Sequence, residues 1–149
     1  GKSVFDSLSK TKIISLPKSL KKIDWSFWEC SNLERIEIER NDYETTSYKT
    51  IDGVLYTGDG LVLCAYPNNH GESYEVPEGV VSIKKFAFKS CESIKTIFLP
   101  SSLQKIEINA FYRCTNLKRI ICNMKREDLT FEGFTGDFGN VNPEWYFIE

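Results

Sequence analysis

Five cysteines and one histidine are the side chains of this 149-residue chain best suited to chemistry. Zinc sites use closely spaced thiol pairs, with about two to four residues between the ligands. The cysteines, at positions 30, 64, 91, 114 and 122, include no such pair. His70 lies in the sequence Asn-Asn-His-Gly, which is typical of an exposed turn, and catalysis would need a nucleophile and an orienting carboxylate beside it. The sequence therefore predicts no enzyme, no metal site and no cofactor.

The positions of the cysteines instead mark a repeat. Residues 77–99 and 100–122 align with a period of 23, a shorter third copy occupies residues 17–38, and the chain opens in a partial copy at residues 5–16. Cys30, Cys91 and Cys114 share one repeat position and are predicted to be buried packing residues, with Cys64 and Cys122 also in packing positions. A Cys91–Cys114 disulfide is the weaker alternative, because stacked rungs about 5 Å apart do not aim their Cβ atoms at one another. Five free thiols are expected.

This period predicts the fold. Self-similarity at about 20 to 29 residues is typical of a leucine-rich solenoid, in which each repeat buries its apolar residues against the next. Ile97 and Leu99 alternate with Phe98, which predicts a short strand that ends before the proline at position 100. The segment from Phe88 to the next cysteine is too short for a full helix and is predicted to form one helical turn. The fold class is therefore mostly β, with short parallel strands, and Phe88 and Phe111 are expected in buried columns.

Two regions depart from the repeat. Residues 39–76 are predicted to be a β-hairpin insert, with strand-like runs at residues 48–56 and 61–66 joined by Thr-Gly-Asp-Gly. Residues 123–149 are predicted to be a C-terminal cap in which Trp145, Tyr146 and Phe147 lie against the Cys122 end of the array. Because the chain opens within a repeat, we expect it to be a piece of a longer protein, in a single solenoid domain.

Composition argues against several classes of partner. The formal net charge is -2, and positive and negative residues are interleaved, so there is no electrostatic reason to bind nucleic acid or an anionic membrane. A cluster of lysines near the start is expected to be a solvated face. No apolar run is long enough to span a bilayer. The chain is expected to be a monomer or part of a longer chain, without membrane insertion.

The order of these landmarks resembles a known family. A Leu-Pro or Val-Pro step, Val or Leu and then Ile at intervals of three, Ala-Phe, a cysteine three residues on, and Leu or Ile pairs before the next proline are similar to BspA-like leucine-rich repeats of bacterial surface and secreted proteins. The resemblance covers about residues 5–122, and residues 48–67 resemble a hairpin insert of that family. Ser26-Phe27 departs from the Ala-Phe pattern. The resemblance implies a non-enzymatic protein, extracellular or on a bacterial cell surface, sometimes involved in adhesion.

Two functional classes follow from these expectations. The first is a binding module whose extended sheet recognises a protein or glycan, as open solenoid surfaces commonly do. The second is a structural spacer without its own ligand. Apolar residues replace polar ones in the outward strand column, which favours binding, unless the hairpin or the C-terminal segment covers them. The predicted binding residues are Arg35, Glu37, Phe98, Arg119 and Ile121.

Overall fold

A computed structural model describes residues 10–23, 30–39, 46–133 and 142–148. Within these residues the chain forms short β-strands and one 3-10 turn at Arg126–Asp128. No helix in the described residues is long and apolar enough to cross a membrane. The strands, in chain order, are β1 (Ile13–Leu16), β2 (Arg35–Ile38), β3 (Tyr48–Ile51), β4 (Val54–Thr57), β5 (Val62–Ala65), β6 (Ser73–Glu75), β7 (Ser82–Ile83), β8 (Thr96–Leu99), β9 (Lys105–Glu107), β10 (Arg119–Cys122), β11 (Thr130–Glu132) and β12 (Glu144–Phe147).

The strands form three sheets. A four-stranded parallel sheet, here the front sheet, has the order β12-β10-β8-β6. A six-stranded sheet, here the back sheet, has the order β11-β9-β7-β5-β4-β3. Strands β1 and β2 form a separate parallel pair. From β5 to β12 the chain alternates between the back and front sheets, so the predicted mostly-β solenoid with parallel ladders and a period of about 23 residues is confirmed.

Each front strand forms because apolar and outward residues alternate. In β8 Ile97 and Leu99 are buried, whereas Phe98 points outward. Proline then ends the strand because it has no N–H for the next ladder bond. The chain turns at once, and the Leu103 N–H donates to the Pro100 carbonyl at 3.2 Å. The same turn recurs after Pro77 and Pro17, so each of these prolines is followed by the same kind of corner.

The segment predicted as a helical turn is a pair of hydrogen-bonded turns. The N–H groups of Lys89 and Cys91 donate to carbonyls three residues earlier. Phe86 and Ser90 have positive φ values of 61° and 58°, and their equivalents one coil later also have positive φ. Left-handed residues cannot continue a right-handed helix, so the turns close the coil without becoming one.

The hairpin region differs from the prediction that residues 48–56 and 61–66 each form one strand. Residues 48–56 form two strands, because Asp52 and Gly53, with φ values of 50° and 82°, make a tight turn of the kind favoured in two-residue hairpins. Strands β4 and β5 pair antiparallel across residues 58–61, as predicted. β5 then pairs parallel with β7, and β6 pairs parallel with β8. Residues 62–76 are thus a coil of the solenoid.

The core consists of columns that run along the stack. Aromatic rings of successive coils follow one another from Tyr66 to Phe88, Phe111 and Trp145, with centroid separations of 4.9, 5.3 and 6.3 Å. Phe88 and Phe111 are buried, as predicted. Strand β12 pairs with β10, with Phe147 in register with Cys122, which confirms the expected contact of the last aromatic residues with this end. Residues 5–9 of the predicted partial repeat (5–16) and the departure at residues 26–27 lie outside the described residues.

Candidate functional site

The side chains first considered for chemistry are structural. All five thiols are free and buried. The thiol of Cys114 donates to the Phe88 carbonyl of the preceding coil, and that of Cys91 donates to the Tyr66 carbonyl at 3.5 Å. Burial raises the pKa of Cys64 to about 11 and that of Cys122 to about 12. Because the thiolate is the nucleophile and metal ligand, these groups are poorly suited to either role at neutral pH.

His70 is not the exposed turn residue that the sequence predicts. Its Nδ1 lies 2.6 Å from the carbonyl oxygen of Glu34, and its ring packs edge-on against Tyr66 with centroids 5.2 Å apart. The residue is half-buried and links its coil to the turn before β2. The described residues hold no group of three or more potential metal ligands. His70 therefore fastens two coils together.

A tyrosine pair, one residue buried and the other partly buried, is a further polar feature of the structure. The hydroxyl groups of Tyr56 and Tyr74 hydrogen-bond to each other. Burial raises the pKa of both groups, that of Tyr74 to about 12. The pair satisfies two hydroxyls that would otherwise be unpaired in an apolar interior. It offers no acid or base near neutral pH.

The outer face of the front sheet carries an apolar column. One outward residue from each strand contributes, in the order Glu75, Phe98, Ile121 and Tyr146. Phe98 is 38% exposed and Tyr146 48% exposed, while Ile121 between them is partly exposed. Outward side chains gain nothing from the solenoid core. We call these four residues the outer column; three of its members are large and apolar or aromatic.

A polar column lies two residues earlier along the same strands. It consists of Ser73, Thr96, Arg119 and Glu144, again one residue per strand. The Arg119 Nη2 lies 3.5 Å from the Thr96 Oγ1. The Glu144 carboxylate accepts a hydrogen bond from the Tyr146 hydroxyl, which raises the pKa of Tyr146. The two columns therefore meet at β12 through a tyrosine–carboxylate contact.

Two concavities flank the columns. The first, here the apolar groove, has a volume of about 310 Å³ and is lined by Phe98, Ile121 and Ile148, with Glu75 and Glu78 among its other walls. The second, here the basic pocket, has a volume of about 550 Å³. Its lining includes Lys95, Lys118, Arg119, Asn142 and Glu144. The outer face thus combines a hydrophobic depression with a cationic one.

The structure brings three of the five predicted binding residues together. Phe98 and Ile121 are directly paired, and Arg119 lies on the same face of β10. Arg35 and Glu37 lie on β2, in the separate two-stranded sheet, where they form an exposed ion pair at 3.6 Å. Strand β12 lies beside β10 and extends the outer face, and its neighbour Ile148 forms part of the groove wall.

Sequence reasoning did not include four further residues of the outer column and its concavities among the binding residues: Lys95, Lys118, Tyr146 and Ile148. Lys95 and Lys118 are 23 residues apart, so the repeat alone could have placed them on adjacent rungs. Tyr146 and Ile148 follow no proline or cysteine landmark, and their place was set only by the pairing of β12.

Comparison with known proteins agrees with this architecture. The family model for the BspA type leucine rich repeat region matches residues 1–52 and 64–137, in six copies. The crystal structure of the pneumococcal vaccine antigen PcpA has a TM-score of 0.66 and 28% identity, over 75% of this chain and 28% of that chain. A leucine-rich repeat protein from Eubacterium ventriosum has a TM-score of 0.69 and 26% identity, over 81% of this chain and 32% of that chain. The chain spans about a third or less of either protein. No curated protein matches it.

Proposed function

The chain belongs to the BspA-type leucine-rich repeat family, and on that premise we propose that it is a binding module that contacts a protein or glycan through the outer face of the front sheet. We further place it outside the cell or on the cell surface. Support for that location comes from the family and from the similarity to a protein described as a pneumococcal vaccine antigen. Repeat scaffolds of this kind typically bind and do not catalyse.

The outer column is the observation that carries this proposal. Phe98, Ile121 and Tyr146 form an apolar strip across three adjacent strands. Single exposed apolar residues are normal on soluble proteins, and Leu61 and Ile13 are examples here. A contiguous strip beside Arg119 is different, because aromatic and apolar side chains together with arginine are typical anchors at protein interfaces.

A variant with both anchors removed tests the proposal. Fluorescently labelled protein would be applied to cultured epithelial cells and to bacterial cells, and bound fluorescence measured over a range of concentrations. The double variant Phe98→Ala/Arg119→Ala should bind at least about tenfold more weakly, since hot-spot truncations cost more than about 1 kcal/mol each. Leu61→Ala is the matched control, because Leu61 is 43% exposed but lies outside the front sheet.

The spacer function is the alternative, and the ion pairs of the back sheet at β9 and β11 favour it. Lys105 on β9 is 3.0 Å from Glu132 on the neighbouring strand and 3.8 Å from Glu107, so the back sheet carries ion pairs at β9 and β11. A chain used only to hold other domains apart needs a rigid ladder and no recognition surface. If the parent protein binds neither cell type, or if the double variant binds as well as the parent, the spacer function is the better account.

A further inference from the structure

We propose that the outer face of the front sheet binds an extended protein segment in which an acidic and an apolar side chain are two residues apart. The inference rests on the proposed function and names the class of partner. In this proposal each of the two concavities binds one of the two side chains. The basic pocket would receive the carboxylate, and the apolar groove would receive the apolar side chain.

Charge on this face is balanced on some rungs and unbalanced on others. Lys95 pairs with Glu72 of the preceding coil at 2.8 Å. Lys118 occupies the next rung, and its N–H donates to the Lys95 carbonyl, so two lysines stand side by side. Glu72 neutralises Lys95, whereas Lys118 has no acidic partner within the described residues. An anionic group of a partner placed over the pocket would offset the charge of Lys118.

The neighbouring acid offsets only part of the positive charge of the pocket, which is lined by one carboxylate and three basic side chains. Glu144 is in register with Arg119 on the adjacent strand, and its carboxylate, which keeps its negative charge, accepts a hydrogen bond from the Tyr146 hydroxyl. In the described part of the chain, neither Lys118 nor Arg119 forms an ion pair. These two exposed cations therefore remain available to a carboxylate from outside, with Thr96 holding the arginine side chain toward β8.

The spacing of the two concavities matches an extended peptide. Arg119 and Ile121 lie on one face of β10 and are two residues apart, a rise of about 6.6 Å along a strand. An extended ligand places its own alternate side chains at the same spacing and on one face. A ligand whose acidic residue lies over Arg119 therefore places the residue two positions further along its own chain over Ile121 and Phe98.

The acids at the groove set the order of the ligand. Glu75 lies beside Phe98 in the outer column, and Glu78 forms part of the groove wall. Both would repel a carboxylate placed in the groove, whereas the basic pocket attracts it. The ligand should therefore place its acid at the amino-terminal end of β8 and β10 and its apolar side chain at the carboxyl-terminal end.

Peptide titrations observed by nuclear magnetic resonance test the inference on the whole chain. Three Gly/Ser-based peptides would be added to ¹⁵N-labelled protein at millimolar concentrations: one carrying Glu-Ser-Leu, one carrying Lys-Ser-Leu and one carrying Glu-Ser-Ser. The first should shift the backbone amides of Thr96, Phe98, Arg119 and Ile121. The other two should bind at least about threefold more weakly, as expected from loss of an exposed ion pair or of a small apolar contact.

A charge-reversed protein provides the reciprocal test. Lys118→Glu/Arg119→Glu should lose preference for Glu-Ser-Leu and gain binding of Lys-Ser-Leu, with a spectrum that still shows the parent fold. Equal binding of all three peptides by the parent, shifts elsewhere or no shifts would overturn the inference, as would selective binding of an acidic oligosaccharide in their place. If the inference fails while the Phe98→Ala/Arg119→Ala variant still loses cell binding, the proposed function survives alone. If cell binding is also unchanged, both fail.

Discussion

The rings of Phe88 and Phe111 lie 5.3 Å apart in the core, although 23 residues separate them in the chain. Each ring belongs to a different coil, so each coil supplies part of its neighbour's interior. The same column extends to Tyr66 on one side and Trp145 on the other. Because no coil completes its own core, adjacent coils are expected to unfold together.

Truncation of Phe111 tests this dependence. Phe111→Ala should lower the free energy of unfolding by about 3 to 5 kcal/mol, because it removes a buried ring and leaves a cavity between two coils. Urea denaturation followed by circular dichroism measures the loss. Lys125→Ala, at an exposed position after β10, is the control and should change stability by less than about 0.5 kcal/mol. A loss below about 1 kcal/mol for Phe111→Ala would contradict the stacked column.

The repeat predicted much of this core but missed one coil. Phe111 and Cys114 were placed correctly because proline, aromatic and cysteine landmarks recur at constant spacing. In the coil at residues 62–76, Tyr66 takes the phenylalanine position, and Asn68, 23 residues before Cys91, takes the cysteine position. Both substitutions hide the pattern, and Asp52-Gly53 adds a strand reversal just before it. The Tyr66 hydroxyl donates to the Gly71 carbonyl, and the Asn68 Oδ1 accepts from the Cys91 thiol of the next coil, contacts that sequence spacing does not reveal.

The candidate site was predictable in part for a similar reason. The outward positions of Phe98 and Ile121 follow from strand alternation, and the structure pairs them. Arg35 and Glu37 have equivalent repeat positions but lie in another sheet. The Ile36 N–H donates to the Gly53 carbonyl at 2.9 Å, so the β3–β4 turn takes the place of the next rung beside β2. Repeat equivalence predicts which way a side chain points but not where an inserted turn divides the ladder.

Left-handed turn residues offer a route to higher stability. Ser90 has a φ of 58°, a conformation that costs a residue with a Cβ roughly 1 to 2 kcal/mol. Ser90→Gly should therefore raise the free energy of unfolding by about 0.5 to 1 kcal/mol, after allowance for the greater freedom of glycine in the unfolded chain. Ser31→Gly is the control, since Ser31 is an exposed turn residue without a positive φ, and it should be neutral or destabilising. Thermal denaturation of both variants decides the matter, and a less stable Ser90→Gly would refute the assigned strain.

Buried thiols should make the fold sensitive to alkali. The pKa of Cys64 is about 11 and that of Cys122 about 12 in the folded chain, against an ordinary value of 9.0. Above pH 9 the unfolded chain loses these protons while the folded chain keeps them, so the free energy of unfolding falls as the pH rises. Each group contributes at most about 1.4 kcal/mol per pH unit.

Urea denaturation at a series of pH values between neutrality and pH 11 measures this slope. In the double variant Cys64→Ala/Cys122→Ala the free energy of unfolding should fall less steeply with rising pH, at pH values below those at which the tyrosines ionise. This expectation concerns the slope and holds whatever the substitutions do to stability at neutral pH. A slope in the double variant equal to that of the parent would show that other groups govern the alkaline response.

The two faces of β12 should differ sharply in their contribution to stability. Trp145 faces the core, with its ring 5.3 Å from that of Phe131, whereas Tyr146 is exposed on the outer face. Trp145→Ala should cost about 2 to 3 kcal/mol, less than a fully buried tryptophan because the residue is only partly buried. Tyr146→Ala on the same strand should cost less than about 1 kcal/mol. Similar losses for the two variants in chemical denaturation would mean that β12 does not lie on the array in this register.

The central claim, that a partner contacts the outer column, is tested most directly by photocrosslinking from within it. The photoreactive amino acid p-benzoylphenylalanine would replace Phe98 in one variant and Leu61 in another, and each protein would be illuminated while bound to the cells used above. The two positions are similarly exposed, at 38% and 43%, but only Phe98 lies on the front sheet. A discrete crosslinked product is expected from position 98 and none from position 61. Equal products from both positions, or none from position 98 while the protein remains bound, would contradict the central claim.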